Sequence, residues 1–271
     1  MSLGEEAGGG IHLNGATIMS TSTDRHIEVA REAGYVGVEV RAERLVGAPD
    51  ELRAAATLVQ SGEVWSLNGL RIGLREDGRL DRETLDADLG RRLPICRALG
   101  AAYLLVVPPR APGVSADAAI SPLRDGLSRA RDEAARSGVR AAFEFLGFAD
   151  CPIGSPAMAA AVVADVPGID LVLDSCHWHA SGSESLAAFP VDRLAMVHLN
   201  DAPDKPPRLI EDADRVLPGR GVIRLHDLVT ELRARGYAGP WSLETFNPAY
   251  WEADPLAVAR EGKAALDALL A

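Results

Sequence analysis

The chain has 271 residues, 47% hydrophobic and 25% charged, with a net charge of −11. That length suits one large α/β barrel or two small domains, and the apolar share is enough to close a large core. The acidic balance speaks against nucleic acid or an anionic membrane as partner, because both are held by Lys/Arg patches that neutralise phosphates. The opening MSLGEEAGGG carries no apolar run of signal-peptide length, and no later run nears the roughly 18 apolar residues of a membrane span. Residues 1–10 read as disordered or tag-derived, and residues 11–271 as a single domain. Cys96, Cys151 and Cys176 are widely spaced and odd in number, which fits a reducing, cytoplasmic setting better than a disulfide framework.

From Ile11 onward, short β-rich runs alternate with longer amphipathic ones. Strands are expected over 11–18, 35–41, 64–69, 103–108, 140–145, 170–174, 195–199 and 241–245. Helices are expected to begin near Thr23, Asp50, Arg82, Ala116, Ser155, Glu184, Leu225 and Pro255, several behind a Ser, Thr or Asp N-cap. Gly34, Gly62, Gly100, Gly138 and Gly236 each stand just ahead of a strand, where a left-handed helix C-cap is expected. Eight strand–helix alternations imply a parallel sheet closed into a (β/α)8 TIM barrel. An open doubly wound sheet is the alternative, but no GxGxxG follows the first strand. The longest irregular segment, 201–221, carries Pro203, Pro206, Pro207 and Pro218. Coming after the seventh strand, it lies on the catalytic face of such a barrel and is a lid candidate.

Four late strands end in apolar residues followed by a potential metal ligand: AAFE at Glu144, LVLD at Asp174, MVH at His198 and WSLE at Glu244. Strand alternation puts Phe143, Leu173, Val197 and Leu243 on the opposite face, where they suit the layer beneath the helices. The four ligand candidates therefore point into the barrel at its C-terminal rim and converge. Three carboxylates and an imidazole form a hard, mostly oxygen site for one divalent ion: Mn²⁺, Mg²⁺, Co²⁺ or Zn²⁺. Glu39 has inward parity and reads either as a rim group paired with Arg41 or as a polyol contact. Asp201 is either an orienter for His198 or a loop Asx-turn. Trp178, Trp241, Tyr250 and Trp251 are either pocket walls or core.

The segments FEFLGF (143–148), LVLDSCHWHASGS (171–183), MVHLND (196–201), DADRVLPGRG (212–221) and WSLETFNPAYW (241–251) resemble the xylose isomerase-like barrel superfamily, and within it the inosose (2-keto-myo-inositol) isomerases. The resemblance implies metal ligation by Glu144, Asp174, His198 and Glu244. It also implies substrate contacts from His177 and Arg215, with His179 fitting the inosose-isomerase form of the turn. Tagatose-type ketose 3-epimerases and hydroxypyruvate isomerases share the four ligands, so the superfamily is marked more sharply than the substrate. Read from the residues alone, the alternative for His177, and more so for His179, is a helix cap or loop packing, and for Arg215 a surface loop charge.

The implied chemistry moves a carbonyl along a polyhydroxy ketone through a cis-enediolate, with Glu144 and Glu244 as the proton-transfer pair. Lys205 and Lys263 are the only lysines, and neither lies in a strand, which excludes a Schiff-base aldolase. The turn after the eighth strand has no glycine-rich phosphate cradle, so an unphosphorylated small-molecule polyol or ketose is expected. An endonuclease IV-like DNA-repair enzyme of the same superfamily is disfavoured by the acidity. A homo-oligomer is suggested by the resemblance alone.

Overall fold

Runs of Val, Leu, Ile and Phe too short for a helix form eight strands in a computed structural model of the chain, which describes residues 10–271. They are β1 (Ile11–Asn14), β2 (Gly37–Arg41), β3 (Val64–Arg71), β4 (Tyr103–Val107), β5 (Arg140–Glu144), β6 (Asp170–Asp174), β7 (Leu194–Leu199) and β8 (Trp241–Leu243). Each pairs in parallel with its neighbour in sequence, and β8 pairs with β1 to close the expected barrel. The reading of a loose stretch at 1–10 falls outside the described residues except at Gly10, whose carbonyl accepts from the Trp241 N–H at 3.0 Å.

The surrounding helices are α1 (Thr23–Glu32), α2 (Ala42–Leu45), α3 (Pro49–Leu58), α4 (Arg82–Leu99), α5 (Ala116–Arg136), α6 (Pro156–Val163), α7 (Ser175–Ala180), α8 (Leu225–Ala234), α9 (Pro248–Glu252) and α10 (Pro255–Leu270). Side-chain caps start several of them: Asp81 accepts from the Thr84 N–H, Ser115 from Ala118, Ser155 from Met158 and Asp254 from Ala257. All five glycines expected to end helices have positive φ, a conformation that costs glycine little.

Two expectations need correction. The first strand stops at Asn14 instead of running to Ile18, because the Asn14 side chain accepts from the Ala16 N–H and starts a 3₁₀ turn over Gly15–Ile18. No helix begins near Glu184. The helix of that connection is α7, which starts directly after β6 because Asp174 Oδ1 accepts from the His177 N–H at 2.8 Å. The short helices α2 and α9 carry no apolar period long enough to announce them.

Strand alternation divides the core in two. Phe143, Leu173, Val197 and Leu243 pack outward in the large layer beneath the helices. Tyr103, Leu105, Ala142, Val172, Ala195 and Met196 fill the barrel interior with the partly buried Trp65. Ala142, Val172 and Met196 thus form the floor on which the next inward residues of β5, β6 and β7 stand. His198 is in register with Asp174 on one side and Ser242 on the other. Among the described residues no helix is long and apolar enough to cross a membrane.

Phe143 is fully buried in the outer layer. Its replacement by alanine should cost about 3–5 kcal/mol of unfolding free energy, read by urea denaturation at an unchanged m-value. A loss below about 1 kcal/mol, typical of an exposed side chain, would contradict the packing described.

Candidate metal centre

Glu144 ends β5, Asp174 ends β6, His198 is the penultimate residue of β7 and Glu244 directly follows β8. All four are buried, and one potential ligand atom from each lies within 4.8 Å of the others. The convergence expected from strand parity is therefore present. His198 Nδ1 faces Glu144 Oε1 at 3.1 Å and Glu244 Oε2 at 3.2 Å. Its Nε2 faces Glu39 Oε1 at 3.1 Å.

Glu39 is where the residue reading fell short. It is not a rim group paired with Arg41; it lies inside the barrel, held by Ser66 Oγ at 2.6 Å and Asn14 Nδ2 at 3.2 Å. Arg41 pairs instead with Glu43, and its Nη1 reaches Glu244 Oε1 at 3.3 Å. Inward parity was the available signal, but the partners come from β1, β3 and β7, which sequence spacing does not bring together.

The charges within this cluster do not balance. Glu39, Glu144, Asp174 and Glu244 bring four carboxylates into the interior against the two guanidiniums of Arg41 and Arg215. Buried like charges are costly without compensation. Burial opposes the imidazolium, yet Glu39, Glu244 and Glu144 together hold the His198 pKa well above its ordinary value. Burial pushes Glu144 up to about 7 against the pull of His198. Burial also raises Asp174 against the opposing Arg215. Glu39 and Glu244 move the other way: His198 outweighs burial and draws Glu39 down to about 2, while His198, Arg215 and Arg41 hold Glu244 below its usual range. Protons thus offset the excess of negative charge, and a divalent cation would offset it in full. Three carboxylate donors and one imidazole fit such an ion, and Glu39 behind His198 Nε2 would leave Nδ1 facing it.

A cavity of about 410 Å³ opens onto these groups, with Glu144, Glu244, His177, Arg215, Arg41 and Phe246 in its wall. Arg215 is fully buried, and its Nη1 donates to Asp174 Oδ2 and to Glu244 Oε2, both at 3.0 Å. Its Nη2 donates to His177 Nε2 at 3.0 Å. Burial, reinforced by Arg215, keeps His177 neutral, and the buried His177 Nδ1 has no protein partner. His179, two residues on, does not line this cavity. The tryptophans are structural: Trp241 packs edge-on against Tyr237, Trp178 Nε1 donates to the Glu184 carbonyl, and Trp251 Nε1 donates to that of Ala16. Phe246, which the strand pattern did not single out, is the aromatic wall, with Arg41 and Arg215 stacked at 4.9 and 5.1 Å from its centroid.

Asn200 and Asp201 fix the frame. Asn200 Nδ2 donates to Asp174 Oδ2 at 2.7 Å and to the Glu244 carbonyl at 2.8 Å. Asp201 makes no bond to His198; its carboxylate accepts from the N–H groups of Ala202, Gly219, Gly221 and Ile223 at 2.9–3.0 Å. It thereby folds the irregular segment into a loop that returns Arg215 to the site. Asp201→Ala strands these donors and should cost about 1.5–3 kcal/mol, with amide exchange accelerated first at 216–223. Wild-type protection across that stretch would contradict the assignment.

The sequence profile of the xylose isomerase-like TIM barrel family matches residues 27–269. An inosose isomerase of Bacillus licheniformis is 28% identical over 249 residues, 87% of this chain and 88% of that one. Another of Halalkalibacterium halodurans is 36% identical over 119 residues, a stretch that spans 42% of each chain. The crystal structure of the IolI protein with a bound zinc atom shares the fold, with a TM-score of 0.87 over 96% of this chain and 98% of that one at 24% identity. The profile takes in every strand of the barrel but the first, and the chain belongs to the xylose isomerase-like TIM barrel family.

Proposed function

We propose that the protein is a divalent-metal-dependent isomerase of a cyclic polyhydroxy ketone, with 2-keto-myo-inositol as the favoured substrate. The observation that carries this reading is the convergence of Glu144, Asp174, His198 and Glu244 within 4.8 Å beside a cavity that Arg215 and His177 also line. Relatives named inosose isomerase over most of the chain length support the substrate. In this reading residues 11–271 act as one catalytic domain in the cytoplasm.

Glu144, Asp174, His198 and Glu244 would hold the cation. A bound Mn²⁺ or similar ion supplies Lewis-acid stabilisation of negative charge as it develops on the substrate oxygens. The protein's own groups move the proton. One glutamate removes the C–H proton of the carbinol carbon, giving an enediolate; the hydroxyl proton of that carbon passes to the former carbonyl oxygen, the same carboxyl or its partner delivers a proton to the former carbonyl carbon, and the carbonyl appears one position along. Glu144 suits the exchange by its place: it lines the cavity, and among the described residues its one side-chain hydrogen-bond partner is His198. Glu244 is more tightly held, with Arg41 on one oxygen and Arg215 on the other. Arg215 and His177 bind substrate hydroxyls, and Phe246 keeps water from the reacting carbons.

Carbonyl migration followed by NMR in D₂O across inosose, fructose, tagatose and hydroxypyruvate tests the reading. Inosose should be converted fastest, with the carbonyl moved to the adjacent carbon. Conversion of an open-chain ketose with inosose untouched would overturn the substrate, and conversion of none would overturn the activity. Glu144→Gln and Glu244→Gln should each lose about 10²- to 10⁴-fold in kcat.

Metal affinity should rise with pH. Glu144, shifted to about 7, and His198, raised well above its ordinary value, both hold protons near neutrality that the cation must displace. Calorimetry in buffers of differing ionisation enthalpy should show proton release at pH 6 and weaker binding there than at pH 8. Affinity independent of pH across that range would contradict this account of the cluster.

A further inference from the structure

Around the outer wall of the cavity runs a closed circuit of side chains that the proton-transfer chemistry does not use. Arg110, between β4 and α5, donates from Nε to both oxygens of Asp150 at 2.8 Å. Its Nη1 and Nη2 grip Glu211 at 3.0–3.2 Å. The same guanidinium lies over the Phe148 ring, 4.6 Å from its centroid, and Phe148 meets His177 edge-on at 4.7 Å. His177 accepts from Arg215, and Arg215 Nη2 also donates to Asp212 Oδ1 at 2.7 Å, one residue from Glu211. The circuit closes there, having joined the connections that follow β4, β5, β6 and β7.

Glu211 is the lever in this arrangement. It caps the 3₁₀ turn Asp212–Asp214, and its own N–H is held by Asp214 Oδ2 at 2.8 Å. Asp214 is in turn paired with Lys205 at 2.6 Å, which ties the two ends of the segment together. Fixing Glu211 therefore fixes the turn that delivers Arg215 inward. The two ends of the lever differ in exposure: Arg215 is fully buried, whereas the Arg110 and Glu211 side chains are 29% and 54% exposed. A fork-to-fork Arg–carboxylate pair gives directional hold, while exposure to water keeps it breakable.

We propose that Arg110 is a positioning residue: it pins the segment 203–215, whose Asp212 and Arg215 line the cavity, so that Arg215 and His177 present together to the substrate. The inference rests on the reading of those two residues as substrate contacts. It assigns Arg110 no part in metal binding or in proton transfer, and its loss weakens substrate capture more than turnover.

The test uses the full chain loaded with Mn²⁺, comparing wild type with Arg110→Ala, Arg110→Lys, Glu211→Gln and the Ala/Gln double variant. Arg53→Ala, which removes a highly exposed ion pair with Asp50 on α3, serves as control. Amide exchange over 203–215 should accelerate about tenfold in Arg110→Ala, with metal stoichiometry unchanged. KM should rise about 3- to 10-fold while kcat stays within about twofold. Arg110→Lys should recover part of the loss, and the double variant should be little worse than Arg110→Ala alone, because the two residues act as one link. Wild-type exchange and KM in Arg110→Ala would overturn the proposal. So would an exchange increase spread evenly over the barrel, or a matching effect in the control. Should wild type convert none of the panel, the functional reading fails, while the exchange data still decide whether Arg110 pins the segment.

Discussion

Excess negative charge buried at the mouth of the barrel is the constraint around which the rest is arranged. Four buried carboxylates with two guanidiniums and one imidazole do not balance without protons or a cation. A parallel barrel can impose that crowding because its strands fix where the rim residues stand. The floor of Ala142, Val172 and Met196 is small and apolar, and the dense helical layer outside it leaves the rim groups little room to separate. The same confinement makes the groups unequal. Glu144, buried and bonded among the described residues to His198, is pushed up, while Glu244, gripped by His198, Arg215 and Arg41, is pulled down. Two chemically identical side chains thereby acquire different proton affinities within one site.

The connections are built to serve that rim. Asp174 is at once a ligand candidate and the cap of α7, so the residue that would hold the ion also sets the direction of His177. Asp201 folds the long connection after β7 back on itself, and Arg215 returns from it as a fully buried cation. Asn200 ties Asp174 to the backbone of Glu244. With Phe246 flanked by Arg41 and Arg215, the wall above the rim is rigid on that side. Few of the cavity's polar groups are free to wander, which is the condition for aligning a polyhydroxy ring at a reacting centre.

The barrel and its four rim residues were legible because each depends on local periodicity: apolar runs of strand length, and a ligand-type residue at the same parity at the end of four of them. Glu39 carried the parity but not its meaning, since its partners Asn14, Ser66 and His198 come from three other strands. Asp201 was left between two roles, because its four N–H donors lie up to 22 residues away in a segment with no period to read. The helix expected near Glu184 failed because a cap inside the preceding strand started the helix early. The indoles of Trp178 and Trp251 bond to backbone carbonyls of neighbouring connections, and composition alone does not distinguish such a role from a pocket wall.

The most direct test of the central claim is anomalous scattering from crystals of the protein grown with Mn²⁺. The account predicts one strong peak per chain, bounded by carboxylate oxygens of Glu144, Asp174 and Glu244 and by His198 Nδ1 at about 2.0–2.3 Å, with Glu39 on the far ring nitrogen. A strong peak elsewhere with this cluster empty, or coordination through His198 Nε2, would contradict it.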